Sequence, residues 1–582
     1  MASLTWHDWD DQTFSKAVAE EKPILLLLTT SWCRFCKELR ETTFADPEVV
    51  HEVTAGFVPV HVDSERRPDL NQRYNMGGWP TLAFLTPRGD LIAGETWQTA
   101  AQLLPLLRRV RAFHRDHRHD IETGLREMWA RQERTDAGRE IGHLSHTIVQ
   151  DVLRAMVEKF DQRHGGWGEG QKFAHPDALD FAMVVMSQTG DDTLRGMVEL
   201  TLDRMQEGGI HDRIDGGFFR FSTTRDWSVP NHEKVLETNA GLLRCYLEGY
   251  QLFGKKEYRD AAQGIVNWLL RFMRDPDTGA FCGSQDADRD YYVGDAERRA
   301  RRAPPRRDPT LYTNWNAMVA SSLFKARVVL DTFELRTIAM EVIEFLTRNL
   351  YFKGGGMYHY WDGTYHLPGI LSDQAYMVRA LVDAAQFSGD QDYLLTAEDV
   401  AETLIKKQRA QSGGFYDIPY DPRSQGSLQR RNKSILENAV IAEAVTRLAY
   451  LSRRDEFMQV ARSTLEAFAG HYREYGYYVA GYARAVDLLL YEPITVTVVG
   501  DRSSNAGRAL RRAAQSIYVP SRIVQALDPQ FDPILLKRSG YPVGSRPVAY
   551  ICVGKTTKAM VEDPDQVVKT IEDIERARRK KT

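Results

Sequence analysis

The chain has 582 residues, 43% hydrophobic and 27% charged, which is an ordinary globular composition and long enough for more than one domain. Its formal net charge of −4, from 76 Lys and Arg against 80 Asp and Glu, gives no electrostatic case for a nucleic-acid partner. Residues 1–11 lack an apolar core and no uninterrupted apolar run approaches the ~20 residues of a membrane span, so no membrane partner is expected and the protein is expected in the cytoplasm.

In chain order, Ile24 to Leu28 is a continuous apolar run that predicts a buried strand, and Lys37-Glu38-Leu39-Arg40 continues as a helix. Between them stands Cys33-Arg34-Phe35-Cys36, which puts Cys33 at the helix N-terminus, where unsatisfied N–H groups, the helix dipole and Arg34 favour a thiolate that Cys36 can resolve. Cys245, Cys282 and Cys552 are scattered and build no disulfide framework. Asp46-Pro47 opens a second helix, Phe57 to Asp63 is a second strand, and Gly77-Gly78-Trp79-Pro80-Thr81 leads into a third, Leu82 to Leu85, turned at Pro87-Arg88-Gly89.

This order resembles a thioredoxin fold. The resemblance implies that Pro80 is cis, lies against the cysteines and presents backbone to an extended substrate. One departure stands out: six residues before the first cysteine, where thioredoxins carry a buried acid, this chain has Leu27, and Glu38 and Glu41 read as solvated helix charges. A Cys-x-x-Cys pair also supplies two zinc ligands, with His51 or His61 able to complete a site only through the fold. No second pair exists, so dithiol chemistry is the preferred reading, and no metal or other cofactor is expected.

From about residue 100 the pattern changes to long amphipathic helices punctuated by six glycine-aromatic turns: Gly165-Gly166-Trp167, Gly216-Gly217-Phe218, Thr278-Gly279-Ala280-Phe281, Gly355-Gly356-Met357-Tyr358, Gly413-Gly414-Phe415-Tyr416 and Tyr475-Gly476-Tyr477-Tyr478. Their spacing is that of helical hairpins. Six hairpins resemble the (α/α)6 toroid of six-hairpin glycosidases and sugar 2-epimerases. Polar groups follow the turns, and the candidate pocket residues are His175, Asp215, His232, Glu233, Asp286, Asp288, Trp315, Asn316, Asp373, Glu437 and Asn438. Individually such residues also serve as helix caps. Together they suit a carbohydrate-like ligand, with aromatic faces for a sugar ring and acids or imidazole to move protons. The arginine-rich stretch 298–307 reads as a solvated loop. The tail, from the strand at Pro493 to Gly500 through a final helix beginning at Pro564, predicts a small α/β region packed on the toroid, and no phosphate-loop motif follows Gly500-Asp501.

The expected organisation is therefore multidomain: a thioredoxin-like α/β domain at 1–115, an all-α toroid at 116–490 and an α/β region at 491–582. With Val62-Asp63-Ser64-Glu65-Arg66-Arg67-Pro68-Asp69, Gly77-Gly78-Trp79-Pro80, Phe84-Leu85-Thr86-Pro87-Arg88-Gly89, Lys172-Phe173-Ala174-His175-Pro176 and the stretch from Gly208-Gly209-Ile210 to Pro230, the chain resembles a family of thioredoxin-domain proteins that includes spermatogenesis-associated protein 20 and its bacterial relatives. It departs from that family at Lys37, where His is usual, and at Asn231-His232-Glu233-Lys234, where the imidazole is displaced by one residue. The expected activity is thiol–disulfide exchange by Cys33 and Cys36 with Pro80 shaping the groove, and the expected partner is a disulfide-bearing protein client or a reductase. The alternatives are a sugar isomerase, epimerase or glycoside hydrolase in the toroid with a regulatory thioredoxin domain, and a non-catalytic binding protein.

Overall fold

The computed structural model describes residues 4–137 and 141–579. It divides into two compact units, one formed by the described residues of 1–140 with 286–288 and 417–432, the other by the remainder. No described helix is long and apolar enough to cross a membrane.

In the first unit α1 (Asp11–Ala19) leads to β1 (Ile24–Thr29), α2 (Arg34–Glu41), α3 (Pro47–Gly56), β2 (Val58–Asp63), α4 (Pro68–Tyr74), β3 (Thr81–Leu85), β4 (Leu91–Glu95), α5 (Ala100–Asp116) and α6 (Arg118–Ala137). All six residues of β1 are buried. The strand is central in the order β2-β1-β3-β4, parallel to β2 and antiparallel to β3, which explains an apolar run without alternation. Leu25 and Leu27 pack with Leu39, Val49, Phe84 and Leu107 in one core. Segment 417–432 is part of this unit. Asp417 pairs with Arg73 at 2.8 Å with both side chains 3% exposed, and the Tyr74 hydroxyl donates to Gly89 O (2.6 Å) and accepts from Ser427 N–H (2.9 Å).

The second unit contains α7 (His146–Lys159), α8 (Pro176–Thr189), α9 (Asp192–Glu207), α10 (Leu236–Phe253), α11 (Lys256–Trp268), two short helices α12 (Arg289–Tyr292) and α13 (Ala296–Ala300), then α14 (Thr313–Val329), α15 (Glu334–Asn349), α16 (Leu371–Ser388), α17 (Asp392–Gln408), α18 (Ile435–Ser452), α19 (Asp455–Glu466) and α20 (Ala480–Leu490). Helices α8, α10, α14, α16, α18 and α20 each pack against the next, and α20 packs back on α8, so the six close into a ring. Their outer companions are α9, α11, α15, α17, α19 and, for α20, the first helix α7. The inner helices are buried on most sides, which is why they carry weak amphipathic patterns.

Four of the six inner helices carry a device that locks the preceding turn. The fourth residue of α10, α14, α16 and α18 is an amide: Asn239, Asn316, Gln374 and Asn438. Its oxygen accepts the N–H of the turn residue Phe218, Phe281, Met357 or Phe415 (2.6–2.8 Å), and its NH2 donates to the same residue's carbonyl (2.9–3.0 Å). Both backbone groups of a buried turn residue are thereby satisfied. The turns themselves need glycine: Gly216 has φ 82° and a Cβ there would lie 2.1 Å from Gly264 O.

The chain ends in β5 (Ile494–Val499), α21 (Asn505–Ser516), β6 (Arg522–Leu527), α22 (Pro533–Ser539), β7 (Val548–Val553), β8 (Thr556–Val561) and α23 (Pro564–Arg579). The sheet order β6-β5-β7-β8, with β5 parallel to β6 and antiparallel to β7, repeats the topology of the N-terminal sheet. No cysteine stands in the β5–α21 junction, residues 500–504, and Cys552 in β7 meets the Tyr541 and Thr557 hydroxyls at 3.4 Å. This layer belongs to the same compact unit as the ring. Val524 N–H donates to Gln386 Oε1 (2.9 Å), and Gln525 Nε2 donates to Leu451 O (2.8 Å).

Asn438→Ala strands the N–H and C=O of Phe415 in the interior. Each unsatisfied group costs about 1–3 kcal/mol, so a fall of that order or more in unfolding free energy is expected by urea denaturation. The neighbouring Glu437→Gln serves as the control, with a much smaller change.

Candidate functional site

The dithiol site is built by the β1–α2 junction. Cys33 is the N-cap of α2 in extended conformation (φ −77°, ψ 114°), and its Sγ accepts the Cys36 N–H at 3.2 Å. The same sulfur lies 3.6 Å from Trp79 O, and the Trp79–Pro80 peptide is cis. The Trp79 indole donates to Ser64 Oγ (2.9 Å) and Asn71 Oδ1 (3.1 Å) and meets the Trp32 ring edge-on at 5.6 Å, which fixes the carbonyl beside the sulfur. Both cysteines are buried, whereas Phe35 between them is 51% exposed. Burial pushes the Cys36 thiol up, reinforced by the neighbouring Cys33 sulfur, so Cys36 holds its proton at neutral pH. Leu27 is fully buried under the site and offers no proton acceptor, while Glu41 is exposed on the surface of α2.

Lys37, at the position where the resembled family usually has His, ion-pairs with Asp286 at 2.8 Å. Asp286 and Asp288 belong to the N-terminal unit by packing and do not line the cavity of the ring. Among the described residues no group of three or more His, Cys, Asp or Glu is arranged to hold a metal ion.

The second site is the ring's centre, a cavity of about 490 Å³. His175 stands at its wall in a left-handed N-cap conformation (φ 44°), against Trp167, Tyr477 and Tyr478, with burial and then Lys172 lowering its pKa to about 4. Asp177 and Glu237, in the first turns of α8 and α10, open onto this cavity, and protein surrounds them otherwise. Burial, with Asp177 nearby, raises Glu237 to about 7. Burial also raises Asp177 against the pull of Arg244. Further along the helices the lining is ionic: Glu248 binds Lys325 (2.5 Å) and Arg244 (3.1 Å), Arg244 reaches Asp180 (3.4 Å), and Arg447 pairs with Asp383. Burial works against the ionised Glu443, but Arg484, Arg244 and Arg447 outweigh it and hold its pKa down. Residues 517–524, leading into β6, complete the lining, with Pro520 O accepting from Arg484 (2.9 Å).

Most of the sequence-predicted pocket residues stand elsewhere. Asn316 and Asn438 are the turn-locking amides. Asp373 is fully buried, pairing with His359 (2.9 Å) and accepting from Asn314 N–H (3.2 Å). Trp315 packs on Tyr312. Asp215 joins Asp212, Arg299 and Lys234 in a buried ion cluster that also ties Lys234 to Gly216 O. Glu233 binds Arg220 at 2.7 Å and Asn231 at 3.0 Å, and His232 packs on Phe219 and Tyr292. Glu437 lies in the first turn of α18, close enough for its charge to act on Tyr376. Glu237, Arg244 and Tyr376 also line the cavity and are not among the sequence-predicted residues. Their signal was a charged or hydroxylated side chain on a helix otherwise buried on all sides.

The architecture is that of a thioredoxin-like domain and a closed ring of six inner helices with six outer companions. Residues 2–132 match the family Thioredox_DsbH, described as "Protein of unknown function, DUF255". The chain is related nearly end to end to spermatogenesis-associated protein 20 of Homo sapiens, 23% identical with 98% of this chain and 90% of the relative covered. The thiol:disulfide interchange protein DsbD of Cronobacter sakazakii is 34% identical over 86 residues, 14% of this chain and 15% of that protein. Among solved structures, cellobiose 2-epimerase from Spirochaeta thermophila aligns with a TM-score of 0.48 and 12% identity, covering 62% of this chain and 98% of its own.

Glu237 gives a pH signature. With its folded pKa raised from the ordinary 4.5 to about 7, its contribution to stability is present below pH 4.5 and lost as pH rises through 7. Glu237→Gln is therefore expected to gain stability over wild type at pH 8 and to lose that advantage at pH 5, read from urea midpoints at the two pH values.

Proposed function

We propose that the protein is a thiol–disulfide oxidoreductase acting through Cys33 and Cys36. The observation that carries this is the Cys33 sulfur at the α2 N-terminus, taking the Cys36 N–H at 3.2 Å and lying 3.6 Å from the Trp79 carbonyl. A thiolate at that position is stabilised by the helix N–H groups. It attacks one sulfur of a client disulfide and releases the other as a thiolate. Cys36 then passes its proton to that released client thiolate and attacks the Cys33 sulfur, breaking the mixed disulfide and expelling the second client sulfur as a thiolate, which leaves an oxidised pair and a client reduced by two electrons. An external dithiol reduces the pair again. Exposed Phe35 and the backbone around Trp79 offer an extended client an apolar contact and hydrogen-bonding groups.

Insulin reduction with dithiothreitol as electron donor tests this. Cys33→Ser is expected to abolish catalysis above background, and Cys36→Ser to accumulate a mixed disulfide visible by mass on non-reducing gels. Wild-type turnover indistinguishable from Cys33→Ser would defeat the proposal.

The cavity supports a second reading, a sugar isomerase, epimerase or glycoside hydrolase in the ring. Glu237, raised to about 7 beside Asp177, is poised to exchange a proton near neutral pH, and 490 Å³ accommodates a mono- or disaccharide. A screen of reducing mono- and disaccharides for isomerised, epimerised or cleaved products is expected to find a substrate whose turnover Glu237→Gln lowers by about 100-fold or more. Cys33→Ser should leave that turnover unchanged.

A further inference from the structure

A second cavity of about 380 Å³ lies between α21 and the far ends of α14 and α16, with the start of α15 as its third wall. Five of its lining residues are arginines: Arg327, Arg336, Arg508, Arg511 and Arg512. One carboxylate answers them at close range. Asp331 pairs with Arg512 at 2.8 Å and with Arg327 at 3.3 Å. Asp390 serves Arg502, just outside the lining, at 3.6 Å. The remaining three guanidinium groups find neutral acceptors: Arg511 and Arg336 donate to the same carbonyl, Ser388 O (2.9 and 3.5 Å), and Arg508 to Asn505 Oδ1 (2.7 Å). Arg336 Nε is buried with no hydrogen-bond partner.

Such a cluster opposes itself. Burial, then Arg336, Arg502 and Arg508, bring Arg511 down to about 10, still fully charged at neutral pH. Burial and Arg327 act on Arg336 in the same direction. Like charges held together at partial burial are costly unless an anion sits among them. Guanidinium forks match phosphate oxygens in pairs, and several forks around one space favour a multiply charged group over a single carboxylate. The opposite wall is apolar, with Phe324 and Phe387 stacked at 5.8 Å and Phe333 60% exposed under the Arg327 guanidinium. We propose that this cavity binds a phosphorylated small molecule, its phosphate groups among Arg336, Arg508 and Arg511 and its organic part against the phenylalanines. This cavity shares Phe387 and Gln515 with the lining of the central cavity, but its arginines are its own and the proposal depends on neither functional reading.

The probe is inorganic pyrophosphate, titrated calorimetrically into the full-length protein with sodium chloride holding ionic strength constant. Saturable binding of one pyrophosphate per chain is expected, weakened about tenfold or more by Arg508→Glu, the loss of one charge-assisted contact. Arg508 is exposed on α21, so the variant is expected to fold, which circular dichroism verifies. Arg336→Gln is expected to weaken binding similarly and Arg336→Lys less. Non-saturable heats, or equal affinity in wild type and Arg508→Glu, would overturn the proposal.

Discussion

The ring depends on one interaction repeated around it: a carboxamide at the fourth residue of an inner helix takes both the N–H and the C=O of the residue after a glycine turn. These turns re-enter the interior to start a new helix, and the amide takes the N–H and C=O that the short bridges across them, such as His211 with Phe218, leave over. An amide is the side chain that can donate and accept at once along a peptide edge. With the turn fixed in this way, the next helix starts at a set depth, and its first-turn side chains arrive at the same height as those of its neighbours. The ion clusters of Asp212 with Lys234 and of Asp161 with Lys172 do related work, the lysines also capping carbonyls of the turn glycines.

The ring's interior is charged, and its charges are disposed by depth. Toward the helix starts, Asp177 and Glu237 have no cation paired directly with them, so burial raises both. Deeper, each acid meets a base, and Glu248 is held ionised against burial by Lys325 and Arg244. Paired charges cost less than lone ones in a low-dielectric interior, yet burial raises Asp180 to about 7 as well, although it reaches Arg244. The far side, where α21 crosses the helix ends, has the opposite character and an excess of arginine.

The two α/β layers share strand order and direction, yet one carries a cysteine pair at the first strand–helix junction and the other does not. After β1 stands Cys33; after β5 the chain reads Gly500-Asp501-Arg502-Ser503-Ser504, and Ser504 caps α21 with its hydroxyl. Topology alone therefore does not confer function. Burial and the neighbouring Cys33 sulfur keep Cys36 a protonated thiol, and Leu27 beneath the pair offers it no acceptor.

Sequence by itself determined the features that local chemistry encodes. A cysteine pair between an apolar run and a helix, the proline before the third strand, and six glycine-aromatic turns at hairpin spacing each follow from short-range sterics, capping or periodicity. It did not determine which polar residues face the cavity. Asn316 and Asn438 have the composition of site residues and the geometry of braces, while Glu237, an acid in the first turn of α10, opens onto the cavity. Asp286, read as a pocket acid, packs beside Lys37, 249 positions away in the chain. The strand order of the tail and the convergence of arginines from α14, α15 and α21 were equally out of reach. Helix phase and depth around a closed ring are set by packing between residues tens to hundreds of positions apart, and a linear pattern carries no record of that distance.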